Sequence, residues 1–244
     1  KLTEPKYKIG LTGTLLLNDP LDAYMPLKWI GAESACATNF RYQYCSYGGP
    51  FGNDFLGYKN IDSLKEQLQS VSLRRTKDLL DLPEKTIIDE YLDMPTAQEK
   101  FYNNIKEGII DQVDKVHMST ANLLAMIARL RQATACPSIL TTENIPSAKM
   151  ERCKELISSL VDNGQKVVVF STFKKTLDEL MPQLQQYNPL LCHGDVPDDI
   201  ISSNIDEFQT SDKHKVMLCT HQKMGTGVTL TAASYAIFLD QPWT

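Results

Sequence analysis

The strongest constraint in this sequence is the order of patterns after residue 149, where apolar helical stripes alternate with short apolar runs to the end of the chain. Met150, Cys153, Leu156, Ile157 and Leu160 recur at helical spacing, and Asn163-Gly164 stops them. Val167-Val168-Val169-Phe170 follows with no polar alternation, the signature of a strand buried on both faces. Leu177, Leu180, Met181 and Leu184 predict the next helix, with Pro182 as a conflict that kinks it unless a break falls there. Leu190-Leu191-Cys192 reads as the second strand and Ile201, Ile205 and Phe208 as another helix. Val216 to Thr220 and Tyr235 to Asp240 then read as strands. A β-α-β-α-β order folds as a parallel sheet with helices on both faces. Ligands of such sheets collect at the carboxyl ends of the strands. Those ends carry Ser171-Thr172, His193-Gly194-Asp195, Thr220-His221 and Asp240.

Two blocks precede this one. Residues 1 to about 85 hold an apolar strand ending in Leu11-Thr12-Gly13-Thr14 and a helical pattern near Asp22 to Trp29. A Gly- and aromatic-rich stretch from Phe40 to Tyr58 reads as an irregular loop. Leu64, Leu68 and Val71 return to helical spacing, and Leu73-Arg74-Arg75-Thr76-Lys77 runs into Leu82-Pro83 as a linker. The middle block opens with a short strand, Thr86 to Leu92. Thr96-Ala97-Gln98-Glu99 matches the S/T-x-x-E capping box and starts a helix. Phe101, Ile105, Ile109 and Val113 form one stripe; Leu123, Leu124, Ile127 and Leu130 form a second that Pro137 ends. The expected product is a helical hairpin at about 96–135.

Composition narrows the class. At 42% hydrophobic and 23% charged, 244 residues can bury one large core or two smaller ones, with no sign of disorder. The six cysteines form no C-x-x-C pair, which points to core thiols and a reducing compartment over a disulfide framework. No apolar run approaches the roughly 18 residues of a membrane span, and no signal peptide opens the chain, so the expectation is an intracellular protein with no membrane partner. A formal charge of −5 argues against a protein coated in basic side chains. Local clusters remain: Arg74, Arg75 and Lys77; Arg129 and Arg131; Lys174 and Lys175. Each reads equally as a nucleic-acid contact or as solvated surface charge.

Six motifs stand in register. They are Leu11-Thr12-Gly13-Thr14 with Asn18; Leu73 to Lys77 with Leu82-Pro83; Leu130-Arg131-Gln132 with Pro137; Val169 to Phe173; His193-Gly194 with Phe208; and Gly225 to Leu230 with Asp240 and Trp243. In this order the chain resembles Swi/Snf-type DNA translocases of helicase superfamily two, and Phe40 to Cys45 with the Gly-rich stretch resembles their annealing-helicase (HARP-like) branch. The resemblance covers nearly the whole chain. It implies a RecA-like parallel sheet flanked by helices with a helical hairpin insertion, preceded by the tail of the first RecA-like lobe. The expected division is 1–85 for that tail and linker and 86–244 for the second lobe, so the chain reads as part of a larger motor.

The resemblance also implies a monomeric motor that uses ATP and Mg2+ and moves on duplex or branched DNA through backbone contacts, remodelling or annealing strands. The family's G-x-x-x-x-G-K-[ST] loop, its acidic Asp-Glu motif that positions magnesium and water, and its arginine-finger motif have no counterpart in the 244 residues, so no tightly bound cofactor is expected and the chain alone is expected not to hydrolyse ATP. Carried over position by position, Thr12, Gly13 and Thr14 couple the γ-phosphate to the DNA side, and Gly225, Thr226 and Gly227 meet the nucleotide. Arg74, Arg75, Ser171, Thr172, Gly194, Asp195, Thr220 and Lys223 lie on the DNA side, where hydroxyls and backbone N–H groups suit phosphates without reading bases. Ordinary turn or surface roles stand beside each of these assignments. The expected setting is cytoplasm or nucleoid for a bacterial or phage source, which the short insertions favour, or nucleus for a eukaryotic one.

Three positions depart from the family pattern: Thr229 stands where Asn is usual, Ile201 where Arg is usual, and Leu15 where Pro is frequent. Three other readings compete. A dinucleotide-binding oxidoreductase lacks its third glycine at Gly225-x-Gly227-x-x-Leu230. A zinc site from Cys192, His193, Cys219 and His221 lacks the usual paired spacing, and no metal is expected. A non-catalytic DNA- or protein-binding module from a decayed motor shares every motif above.

Overall fold

The computed structural model describes residues 5–16, 19–76, 84–115 and 120–242. Lys77, Leu82-Pro83, Asn18 and Trp243 lie outside the described residues, as does the side chain of Val113. The chain forms two compact units, Lys1–Ile87 and Ile88–Trp243.

In the first unit, Asp19 and Asp22 form a reciprocal capping box on a 3-10 turn, Pro20–Ala23, with Asp19 Oδ1 accepting from the Leu21 N–H at 2.7 Å. Helix α1 (Tyr24–Ile30) continues from that turn and α2 (Ala37–Tyr44) follows. Strands β1 (Cys45–Gly48) and β2 (Asp54–Tyr58) pair antiparallel, and α3 (Ile61–Val71) closes the unit. Ala23, Leu27, Phe40, Tyr44 and Leu64 make its core. The stretch from Phe40 to Tyr58 is therefore the end of a helix and a hairpin, not an irregular loop. Its glycines build the turn: Gly49 and Gly52 sit at φ 84° and 67°, a region L side chains avoid, and they reverse the chain so that Tyr47 faces Phe55.

The strand expected before Thr12 is not formed. Ile9 and Leu11 are 80% and 94% exposed, and neither β1 nor β2 pairs with their backbone. A strand exists through its ladder, and apolar residues alone do not make one. The same reason removes the expected strand at Thr86 to Leu92, where Tyr91 is 94% exposed.

The second unit begins with α4 (Thr96–Lys115) and α5 (Thr120–Ala135), the expected hairpin. Glu99 N–H donates to the Pro95 carbonyl at 2.9 Å, so the helix starts one residue earlier than a Thr96 cap implies. On α5 the buried face is Met126, Ala133 and Ala135, whereas Leu123, Leu124 and Ile127 face outward. Gln98, fully buried, ties the hairpin down. Its Nε2 donates to the Ala133 and Thr134 carbonyls at 3.0 and 3.3 Å, and its Oε1 accepts from the Ala148 N–H at 3.0 Å.

Helix α6 (Ala148–Asp162) is capped by Ser147, and β3 (Val167–Ser171), α7 (Lys174–Leu180), β4 (Leu190–Cys192), α8 (Asp198–Thr210), β5 (Val216–Thr220), α9 (His221–Met224) and β6 (Tyr235–Phe238) follow. The Pro182 conflict is resolved by a break: α7 ends at Leu180, and a 3-10 turn, Met181–Tyr187, takes the proline in its first turn, where no N–H is needed. The sheet is parallel throughout, in the order β4-β5-β3-β6. Val167 and Val169 pack on one face with Ile157, Leu177 and Leu180; Val168 packs on the other with Phe208, Met217 and Cys219. Both faces are covered, which is why the strand could carry no polar alternation. Each buried Val, Leu or Phe of these layers contributes about 1.5–3 kcal/mol. Ile201 lies in the second layer, so a basic contact at that position is replaced by core packing.

Candidate nucleic-acid interface

The carboxyl edge of the sheet brings distant residues together because the strands are in register. Ser171 ends β3 beside Thr220, which ends β5. The ladder runs one step beyond β6, with the Leu239 N–H donating to the Phe170 carbonyl at 3.0 Å, and this places Asp240 over the end of β3. Ser171 Oγ donates to Asp240 Oδ2 at 2.5 Å, and the Thr172 N–H donates to Oδ1 at 2.9 Å. Arg131 reaches the same carboxylate at 3.9 Å, bonds the Gln241 carbonyl, and lies 5.8 Å from the Phe173 ring centre. Asp240 is a buried hub joining β3, α5 and the segment after β6.

The aromatic layer beside it is equally ordered. The His221 ring stacks near-parallel with Phe170 and Phe238, centroids 5.5 and 5.6 Å away. Its Nε2 lies 3.0 Å from the Asp240 carbonyl; a carbonyl only accepts, so that nitrogen carries the hydrogen. His193, buried after β4, accepts from the Asp195 N–H at Nδ1 (3.2 Å) and donates through Nε2 to Asp178 at 3.0 Å. Two cations at this edge are held by acids. Lys174 pairs with Asp195, holding that carboxyl below the usual range, and Lys223 pairs with Asp198. Exposed pairs of this kind contribute little to stability and open readily to a competing anion.

Gly225 and Gly227 matter for different reasons. The Gly225 N–H caps α9 on the His221 carbonyl at 2.9 Å, and a Cβ there would collide with that oxygen; Gly227 sits at φ 76°. Thr226 between them is exposed. Gln209 of α8 braces the loop that follows, donating to the Thr229 carbonyl and accepting from the Ala232 N–H.

Of the residues singled out from sequence, Ser171, Thr172, Thr220, Gly194, Asp195 and Lys223 share this carboxyl edge. Ser171 and Thr220 are buried, so their hydroxyls position the turns more than they face solvent. Thr172 Oγ1 is buried without a partner among the described residues. Thr12, Gly13, Thr14, Arg74 and Arg75 belong to the first unit and are exposed. The Thr14 N–H donates to Thr12 Oγ1 at 3.1 Å, and a Cβ on Gly13 would meet open space, so the turn does not need glycine there. Cys192 and Cys219 are opposite one another in adjacent strands, fully buried, while His193 and His221 are committed to Asp178 and to the ring stack. Sequence reasoning missed Asp178, Asp198, Gln98 and Gln209, whose partners are 15 to 50 positions away. Asp240 was visible as a strand-end acid and as a member of the sixth motif, but its bonds to Ser171 and Thr172 were not.

The SNF2-related domain family matches residues 2–139, more than half of the chain. The chain belongs to that family. The helicase conserved C-terminal domain matches residues 148–244. An uncharacterized ATP-dependent helicase of Mycoplasma pneumoniae is 24% identical over all of this SNF2-related chain and 23% of its own length. The DNA annealing helicase and endonuclease ZRANB3 of Bos taurus is 25% identical over 98% of this chain and 22% of its own. The chain thus spans about a quarter of the length of such relatives. Among solved structures, the Sulfolobus solfataricus SWI2/SNF2 ATPase core domain superposes with TM-score 0.58 at 20% identity, covering 91% of this chain and 48% of that one. The same core in complex with dsDNA gives 0.57 at 23% identity, covering 84% and 45%. These likenesses show the fold of the SWI2/SNF2 core.

Proposed function

We propose that this SNF2-related chain is part of an ATP-dependent motor that moves on duplex DNA and remodels or anneals strands, with its DNA side at the carboxyl edge of the four-stranded sheet. The observation that carries the reading is the convergence of Ser171-Thr172, Gly194-Asp195 and Thr220 with Lys223 on one edge, where the buried hydroxyls shape the turns and the exposed Gly194-Asp195 turn and Lys223 present backbone and ammonium groups to solvent. Such groups grip phosphates and are poorly suited to bidentate base recognition. The name of the annealing relative and the Phe40 to Cys45 motif support the annealing branch.

The first lobe's tail and linker are placed at 1–85 and the second lobe at 86–244, with 96–135 as its helical insertion; the Gln98 bonds to Ala133, Thr134 and Ala148 support that attachment. The motor is read as a monomer, and no described helix is long and apolar enough to cross a membrane. Nucleotide and magnesium belong to the whole motor. Gly225, Thr226 and Gly227 offer a glycine turn, but the described residues supply no group of three or more His, Cys, Asp or Glu that could hold a metal. They do not by themselves fit a triphosphate with its magnesium, and no chemical step is assigned to them. DNA-stimulated ATPase and triplex-displacement assays on the complete protein test the reading; absence of both activities would transfer the chain to the binding-module alternative.

A further inference from the structure

The second unit holds one feature the motor reading does not use. Beside Asp240 lies a pocket of about 310 Å³ lined by Arg131, Thr134, Lys149, Asp240, Gln241 and Pro242. It sits past the carboxyl ends of β3 and β6, where ligands of open parallel sheets bind. Its charge is unbalanced. The Asp240 carboxylate is already engaged by Ser171 Oγ, the Thr172 N–H and Arg131. Arg131 is fixed in place by the Gln241 carbonyl and the Phe173 ring. Lys149 is half-buried, and among the described residues its ammonium makes no hydrogen bond or ion pair.

Lys149 also stands in the first turn of α6, two residues after the Ser147 cap. A helix N-terminus favours anions and disfavours cations, so the lysine is placed against the macrodipole. Burial pulls its pKa below the usual lysine range; Asp240 opposes the shift and Arg131 adds to it. A stability role alone would put an acid or a neutral residue there. Two cations lining one pocket beside the start of α6, Arg131 and Lys149, make the receptor for a tetrahedral oxyanion, while the Thr134 hydroxyl is spent on the Arg131 carbonyl at 2.9 Å.

We infer that the Arg131–Lys149 pocket binds a phosphate group, with Lys149 as its mobile cation and Arg131 as its preorganised one. The inference does not depend on the motor reading, because the ligand is recognised by its charge and shape alone. Phosphate supplied by a nucleic-acid backbone or by a nucleotide satisfies the same chemistry.

The test is a titration of the 15N-labelled 244-residue chain with inorganic phosphate at constant ionic strength against chloride, read at the amides of Thr134, Lys149 and Gln241. Saturating shifts with a midpoint of about 1–10 mM are expected. Lys149→Met should weaken the midpoint at least about tenfold and Lys149→Arg should largely preserve it, a contrast that follows from charge. Thermal melts in chloride check that both variants fold. Competition by a short duplex assigns the phosphate to DNA, and competition by ADP assigns it to a nucleotide; either upholds the site. Shifts that fail to saturate in the wild type, or an unchanged midpoint in Lys149→Met, overturn the inference whatever the motor assays show.

Discussion

Ser171 and Asp240 stand 69 positions apart in the chain and 2.5 Å apart in the fold. The contact closes the carboxyl edge, because the same carboxylate also accepts from the Thr172 N–H and pairs with Arg131. Asp240→Ala should therefore cost about 2–4 kcal/mol, since it leaves the Ser171 hydroxyl and the Thr172 N–H without their acceptor and removes the carboxylate that faces Arg131. Ser171→Ala should cost about 1.5–3 kcal/mol, the worth of a hydrogen bond to a charged group. Urea unfolding of both single variants and the double variant measures these, and additivity within about 0.3 kcal/mol would deny the coupling.

Gln98 makes a second long-range tie, and its side chain has no solvent to fall back on. Gln98→Leu keeps the volume but leaves the Ala148 N–H and the Ala133 and Thr134 carbonyls without their partner. The expected loss is about 2–3 kcal/mol. Faster hydrogen exchange should appear at the end of α5 and the start of α6; uniform exchange in both proteins would show that the hairpin is held by packing alone.

The glycines of the candidate site should separate by steric role. Gly225→Ala forces a Cβ into the His221 carbonyl and is expected to cost about 1–3 kcal/mol, whereas Gly194→Ala enters open space and should stay within about 0.5 kcal/mol. Gly227→Ala, at φ 76°, should cost about 1–2 kcal/mol for the left-handed conformation. Thermal melting of the three variants ranks them, and an equal shift at 194 and 225 contradicts the loop geometry.

Much of the second unit was legible because one physical requirement, burial on both faces, writes itself as unbroken runs such as Val167 to Phe170. Capping and breaking were legible too, since Asn163-Gly164 and Pro182 act locally. The failures share a cause. Ile9 to Leu11 and Thr86 to Leu92 look like strands residue by residue, but a strand needs a neighbour's ladder, which no local pattern encodes. The hairpin at Cys45 to Tyr58 was hidden because its glycines punctuate like a loop while serving as a turn. At the site, the strand-end turns were readable from the β-α order, yet the bonds that fix them run between residues whose pairing depends on register. Asp178 with His193 and Gln209 with Thr229 are examples.

Acid should weaken one specific tie of the second unit. Arg152 donates from Nε and Nη2 to Glu90 at 2.8 and 2.9 Å and holds that carboxyl below its ordinary value of 4.5. With the folded pKa depressed, the unfolded chain binds the proton first. The pair's contribution is full above the ordinary glutamate range and is lost as pH falls through the folded value. Glu90→Gln should therefore show a shallower loss of stability on the acid side than the wild type, and added salt should shrink the difference because both partners are exposed. Parallel stability curves from pH 6 down to about 3 would assign the tie no role.

The last prediction concerns Thr12 and Thr14, whose turn is held by the Thr14 N–H donating to Thr12 Oγ1 at 3.1 Å. Both are exposed and neither packs into the core of the first unit, so replacing both with Ala should change stability by no more than about 0.5 kcal/mol. DNA affinity should also hold, because phosphate contacts spread over many residues set it, and it should depend on salt more than on sequence. If the two hydroxyls couple hydrolysis to movement, the complete motor carrying Thr12→Ala and Thr14→Ala should hydrolyse ATP yet displace fewer third strands per ATP. A triplex-displacement assay run beside an ATPase assay on wild type and double variant measures that ratio. Equal displacement per ATP in the two proteins would end the coupling role. A wild type that binds DNA and displaces nothing would favour the binding-module alternative, in which the turn at Thr12 to Thr14 is surface structure only.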